Sequence, residues 1–180
     1  MATLKILMAP DERLKKVAQK VEKVDLSVQK IMDDMLETMY KTNGIGLAAT
    51  QVNIHQRIVV MDISFDENGN GKKPMYFINP EITKRGKELN VYQEGCLSLP
   101  NIFDDVERPA TCTVKALDYN GKAFTLECDG LLATCIQHEV DHLDGIIFAD
   151  HLSRLKRNRI LTKLQKCKKR KEYSQEIFNY

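Results

Sequence analysis

The pattern of apolar and polar positions divides the chain into a helical start, a strand-rich middle and a helical end. Val28, Ile31, Met32, Met35, Leu36 and Met39 follow i, i+3, i+4, i+7 spacing. That spacing predicts an amphipathic helix capped by Asp25 or Ser27 and ending near Asn43 and Gly44, with its methionine-rich stripe in the core. Before it, Leu4 to Leu7 is a short apolar segment followed by a turn at Pro10 and Asp11. Arg57 to Ile63 has the length and composition of a buried strand, and Met75 to Pro80 and Glu81 to Glu88 predict two more. Val106 to Asp118 and Ala123 to Cys128 predict a hairpin across Tyr119 to Lys122, since Asn120-Gly121 suits a tight turn. Asp66 to Pro74, rich in Gly, Asn and charge, is expected to be a solvated, mobile loop.

A second helix is bracketed by Gly130 and Gly145, with Leu132, Ile136, Val140 and Leu143 as its buried side. Ser153 to Lys171 predicts a long basic helix with a partial apolar stripe of Leu155, Ile160, Leu161 and Leu164. Together these elements predict an α+β fold: mostly antiparallel strands around a central helix, with an N-terminal helix and a C-terminal basic helix.

A chain of 180 residues fits one domain, here expected as a body over 1–151 and a basic helix and tail over 152–180. Its charge is unevenly divided. Residues 152–180 hold ten Lys and Arg against two Glu, whereas residues 1–151 hold 17 against 23. A basic tail on an acidic body points to an anionic partner for the tail, or else to a helix kept solvated by its charges. No apolar run approaches the roughly 20 residues of a membrane helix, and the N-terminus lacks a signal-peptide pattern. The cytoplasm, with no membrane contact, is the expected address. Five cysteines without a C-x-x-C pair are expected as free thiols in a reducing compartment.

The chemistry concentrates in three stretches. On a helix, His138 and His142 project from one face four residues apart and can grip one divalent metal, while Glu139 reaches a water bound there. Leu131 and Cys135 share that face and offer a small apolar surface. A chance H-E-x-x-H built from ordinary histidines is the competing reading. In Glu94-Gly-Cys-Leu-Ser-Leu-Pro100, Cys96 could complete a two-His, one-Cys site with one position left for water. Alone, it reads as a small buried hydrophobe. In Gly44-Ile-Gly-Leu-Ala-Ala-Thr-Gln51 the small residues permit a close backbone approach, and Gln51 can donate to a developing oxyanion. A tight turn with a solvated Gln would explain that stretch equally.

Taken together, these three stretches resemble the signature motifs of the peptide deformylases, in the same order and across most of the chain. The resemblance implies removal of the N-formyl group from the initiator methionine of nascent polypeptides, with release of formate. It makes Cys96, His138 and His142 the metal ligands, Glu139 the general acid/base, Gln51 and the Leu97 amide the oxyanion donors, and Gly46 a contact to the substrate backbone. Ile45, Leu131 and Cys135 become walls of the methionine slot. It implies Fe(II) in the cell, with zinc, nickel or cobalt as substitutes, and hence sensitivity to oxygen. It also implies ribosome contact, through rRNA, for the C-terminal basic helix. Phe103 stands where many members carry an Arg, and Arg108 matches a position expected to form a structural ion pair. The alternatives are a general H-E-x-x-H metallopeptidase or amidase, and an inactive deformylase-like protein kept for ribosome binding.

Overall fold

Four consecutive apolar residues, Ile58 to Met61, are fully buried, and each face of the strand they form packs against a different helix. The computed structural model describes residues 2–64 and 71–169. It contains helices α1 (Leu26–Lys41), α2 (Gly130–Leu143) and α3 (Arg154–Lys169). Its strands are β1 (Gly46–Ala48), β2 (Ile58–Met61), β3 (Met75–Arg85), β4 (Leu89–Cys96), β5 (Leu99–Pro109), β6 (Thr111–Leu117) and β7 (Ala123–Asp129). Ile58 and Val60 cluster with Met32, Met35 and Met39 of α1, while Val59 and Met61 cluster with Ile136, Val140 and Leu143 of α2. Side chains alternate along a strand, so this run serves both layers at once. The five-stranded sheet, in the order β1-β2-β3-β6-β7, therefore lies between α1 and α2, and all its pairs are antiparallel. A separate two-stranded ribbon pairs β4 with β5. The expected α+β fold around a central helix is the fold observed.

Asp25 caps α1 by accepting from the amides of Ser27 and Val28, a contact worth about 1 kcal/mol. Complete burial of Met32, Met35 and Met39 contributes more, roughly 1.5–3 kcal/mol for each side chain. Packing of the methionine stripe, more than its cap, fixes this helix. A third cluster joins Leu7 and Leu14 from the N-terminal segment to Leu99 and Ile102 of β5, Phe148, and Leu164 of α3.

Several local expectations change. Met75 to Arg85 is one strand, β3, rather than two, because a bulge between Ile78 and Glu81 absorbs Pro80, and it ends before the expected Glu88. Asn79 makes the bend with φ 53°, and its side-chain amide bonds both the N–H and the carbonyl of Val21, at 2.8 and 2.9 Å. The run from Val106 to Asp118 is split at Ala110, where the chain leaves the ribbon and enters the sheet. The hairpin across Tyr119 to Lys122 forms as expected, with Gly121 at φ 79°. Leu155 does not join the apolar stripe of α3 and is exposed, whereas Leu164 is buried and Ile160 and Leu161 pack beside it. Residues 66–70 of the expected loop and 170–171 of the expected last helix lie outside the described residues.

Asp62, just past β2, is fully buried and accepts from the Tyr40 hydroxyl at 2.6 Å, from Ser64 through both its N–H and its hydroxyl, and from the Lys73 N–H at 2.8 Å. Burial raises its pKa, but these bonds outweigh burial and hold it below the ordinary 3.8. A lowered carboxylate pKa adds stability that is complete above the unfolded value and is lost as pH falls through the folded one. Asp62→Asn should therefore destabilise the protein by about 2 kcal/mol at neutral pH. Denaturant titrations of wild type and variant should converge as the solution is acidified, and a pH-independent difference would contradict this.

Candidate active site

The site forms where α2, the β4–β5 turn and the segment after β1 meet. Helical spacing on α2 brings His138 and His142 together, with ring centroids 4.9 Å apart. Leu97 and Ser98 form the turn between β4 and β5, and Cys96, the last residue of β4, faces the helix with Sγ 3.2 Å from His142 Nε2. One donor atom from each of Cys96, His138 and His142 lies within 4.8 Å of the others. Two ligands of one tetrahedral ion stand roughly 3.5 Å apart, so thiol and imidazole already have the right spacing. Glu139 is buried and its Oε2 has no hydrogen-bond partner among the described residues. An orphaned carboxylate oxygen beside a sulfur and two imidazole nitrogens is the donor chemistry of a metal site with an acid/base next to it.

The electrostatics agree. Burial pushes Glu139 up to about 7, partly offset by the His138 ring, which poises it for proton transfer near neutral pH. Burial, reinforced by neighbouring His138, drives His142 well below its ordinary value and favours the neutral ring.

Gln51 lies on a 3-10 turn, Ala49–Val52, fixed on three sides. Its backbone carbonyl accepts from Leu7 N–H at 2.7 Å, its Oε1 accepts from Ala48 N–H at 2.9 Å, and the hydroxyl of neighbouring Thr50 donates to the His142 carbonyl at 3.0 Å. This leaves the Gln51 amide nitrogen facing Ser98 Oγ at 3.2 Å and Cys96 Sγ at 3.5 Å. Gly46 must be a glycine, since a Cβ there would come 2.6 Å from Glu139 Oε1 and 2.9 Å from Cys135 Sγ. Ile45 and Asp62 are bonded neighbours in the β1–β2 register, so Gly46 turns its own N–H and carbonyl toward the open edge of β1.

A cavity of about 120 Å³ adjoins Cys96 and Glu139 and is walled by Ile45, Leu97, Leu131, Cys135 and His138. All ten residues singled out in the sequence thus meet at one place. Tyr92 and Thr134 also line the cavity and were not among them.

The larger omission is the support behind His138. Its Nδ1 is 2.8 Å from Glu94 Oε2, and Glu94 is gripped at both oxygens by the buried guanidinium of Arg108. Arg108 also donates to Asp141 Oδ2 at 2.7 Å, and His151 Nε2 meets the same oxygen at 2.7 Å. Burial opposes ionisation of Glu94, yet its bonds to His138 and Arg108 bring it down to about 2. Arg108 has the ion-pair role expected of it. Glu94 was discoverable: it stands two residues before Cys96, and once β4 is a strand both side chains share a face.

A family profile described as Polypeptide deformylase matches residues 3–158. Peptide deformylase 1 of Pseudomonas syringae pv. tomato is 55% identical over 166 residues, covering 92% of this chain and 96% of that protein. Among solved structures, a peptide deformylase from Legionella pneumophila superposes with TM-score 0.87 at 44% identity, covering 96% of this chain and 99% of that one. A peptide deformylase from Ehrlichia chaffeensis in complex with actinonin gives TM-score 0.87 at 43% identity, covering 97% and 100%.

Two substitutions test the geometry. Glu94→Gln keeps the shape but removes the charge facing Arg108 and His138, and should weaken metal binding about 10–100-fold in chelator competition. Unchanged affinity would mean that this carboxylate does not orient His138. Gly46→Ala should leave the fold intact by circular dichroism but displace Glu139, lowering kcat on the order of 100-fold.

Proposed function

The chain belongs to the polypeptide deformylase family, and on that premise we propose how its residues carry out the reaction. The enzyme is a metal-dependent hydrolase that removes the N-formyl group from the N-terminal methionine of newly synthesised polypeptides and releases formate. Cys96, His138 and His142 hold the metal in this reading. The observation that carries it is the convergence of these three donors beside a buried carboxylate with an unpartnered oxygen.

When bound, a divalent cation there supplies Lewis acidity, lowering the pKa of water and polarising a carbonyl. Glu139 takes the proton of the attacking water at its free Oε2 and returns it to the departing amine. Gln51 Nε2 and the Leu97 N–H donate to the formyl oxygen as it becomes negative. Gly46 bonds the substrate backbone, and the methionine side chain enters the slot of Ile45, Leu131 and Cys135. A formyl carbon bears hydrogen where other amides bear carbon, so a cramped site admits it and excludes acetyl. In the cell the proposed metal is Fe(II), for which zinc, nickel or cobalt can substitute; metal analysis of protein purified without oxygen tests this. No helix among the described residues is long and apolar enough to cross a membrane, and the proposed location is the cytoplasm.

The proposal treats 1–180 as one domain, with the catalytic body over 1–151 and the basic helix and tail over 152–180. Burial of Leu164 beside Leu7 and Phe148 supports that unity. It also makes deletion of the helix a poor test, because a truncation would open this cluster. Ribosome contact through α3 is better tested at its exposed cations Arg159, Lys163 and Lys166. Changing all three to Glu should weaken cosedimentation with ribosomes and flatten its salt dependence, without altering turnover of a short peptide. Unchanged cosedimentation would reject rRNA docking.

The deformylase reading predicts formate release from formyl-Met-Ala and none from acetyl-Met-Ala or the unblocked peptide. Glu139→Ala should reduce it by about 100- to 10,000-fold. Cleavage of the acetylated or unblocked peptide would favour a general metallopeptidase instead, and an inactive wild type loaded with Fe(II) would favour a ribosome-binding relic.

A further inference from the structure

The two proposed oxyanion donors sit on turns far apart in sequence, and one short segment lies behind both. Leu7 N–H donates to the Gln51 carbonyl at 2.7 Å, and two residues on, Ala9 N–H donates to the Ser98 carbonyl at 2.8 Å. The turns also meet through their side chains. Gln51 Nε2 donates to Ser98 Oγ at 3.2 Å, and both residues are buried, so the bond is shielded from solvent.

The last torsion of a glutamine side chain is broad, so a single hydrogen bond leaves the plane of its amide free to swing. Ala48 N–H holds Oε1 at 2.9 Å. That bond also decides which end of the amide is oxygen, because a flipped amide would set two donors against each other. The nitrogen end carries two hydrogens. One given to Ser98 Oγ makes a second anchor at the far end of the group. The other is left facing Cys96, whose Sγ lies 3.5 Å from the nitrogen. Ser98 directly follows Leu97, so the residue that anchors the Gln51 amide is covalently joined to the one whose N–H is the other donor.

We propose that Ser98 is a positioning residue of the oxyanion site: its hydroxyl accepts one Gln51 N–H, aims the other at the formyl oxygen and sets its spacing from the Leu97 N–H. The inference rests on the deformylase reading and adds to it a side chain that acts through another. Oxyanion donors work because they are aimed before charge develops, so a loosened amide costs rate more than substrate binding. The competing explanation is packing, in which a small buried residue seats the hairpin turn against Ala9.

The test measures kcat and KM of the Fe(II)-loaded full chain on formyl-Met-Ala, with metal affinity from chelator competition. Ser98→Ala should lower kcat by about tenfold, less than the roughly 100-fold expected for Gln51→Ala, and should change KM and metal affinity by less than about twofold. Added to Gln51→Ala, the same change should cost less than about twofold more, since its target is already gone. A packing role would weaken metal binding, or would lower kcat equally in both backgrounds. Either of those results, or full kcat in Ser98→Ala, overturns the role of Ser98 and leaves the deformylase reading standing. Failure of the wild type to hydrolyse the formyl peptide overturns both.

Discussion

The buried Glu94 carboxylate holds this site together. It is closed off from solvent and must remain ionised, which it can do only because Arg108 grips both its oxygens and His138 takes one of them. The requirement runs in both directions. Without Glu94 the guanidinium would be an uncompensated buried charge, and without Arg108 the carboxylate would be. Through Asp141 the same guanidinium reaches the residue adjoining His142, so one cation indirectly braces both imidazoles. The ribbon that supplies the thiol and the helix that supplies the imidazoles are thereby locked in one relative position.

The rest of the fold can be understood as support for that lock. α2 needs a floor, which β2 provides with Val59 and Met61, and β2 needs a cover on its other face, which the methionines of α1 provide. Beside β2, the short β1 places Gly46 against Glu139, where a single methyl group would intrude. Gln51 follows on a turn tied to Leu7, and the Ala48 N–H holds its side-chain oxygen, which fixes the amide nitrogen toward Cys96 and Ser98. Precision in this site comes from side chains held by second partners, Gln51 by the Ala48 N–H and His138 by Glu94.

Much of this was legible in the residues. Apolar patterning located α1, α2 and β2, and the Asn120-Gly121 turn located the β6–β7 hairpin. Three short stretches held the ten residues proposed for the site, since metal ligation and oxyanion donation would allow few residue types. What the pattern concealed has common causes. β4 turns the apolar Leu89 and Val91 to solvent and buries the charged Glu94 on its other face, so its polarity runs against its burial, and the partnership of Glu94 with Cys96 was hidden with it. β3 was divided in two because Pro80 ordinarily ends a strand, whereas here Asn79 bends the chain and Val21 holds the bend. Leu155 is about half a turn out of phase with Leu164 on a helix of roughly 3.6 residues per turn, so it stands on the solvent side of α3.

The cluster containing Leu7, Leu14, Phe148 and Leu164 joins segments far apart in sequence, around the hairpin that carries Cys96. Loop closure over such a separation comes late in assembly. During synthesis, the N-terminal hydrophobes emerge long before the residues that will cover them. The seat beneath the Cys96 hairpin is thus sealed only once α3 has docked, so a chain cut before Arg154 would leave Leu7, Leu14 and Phe148 partly uncovered.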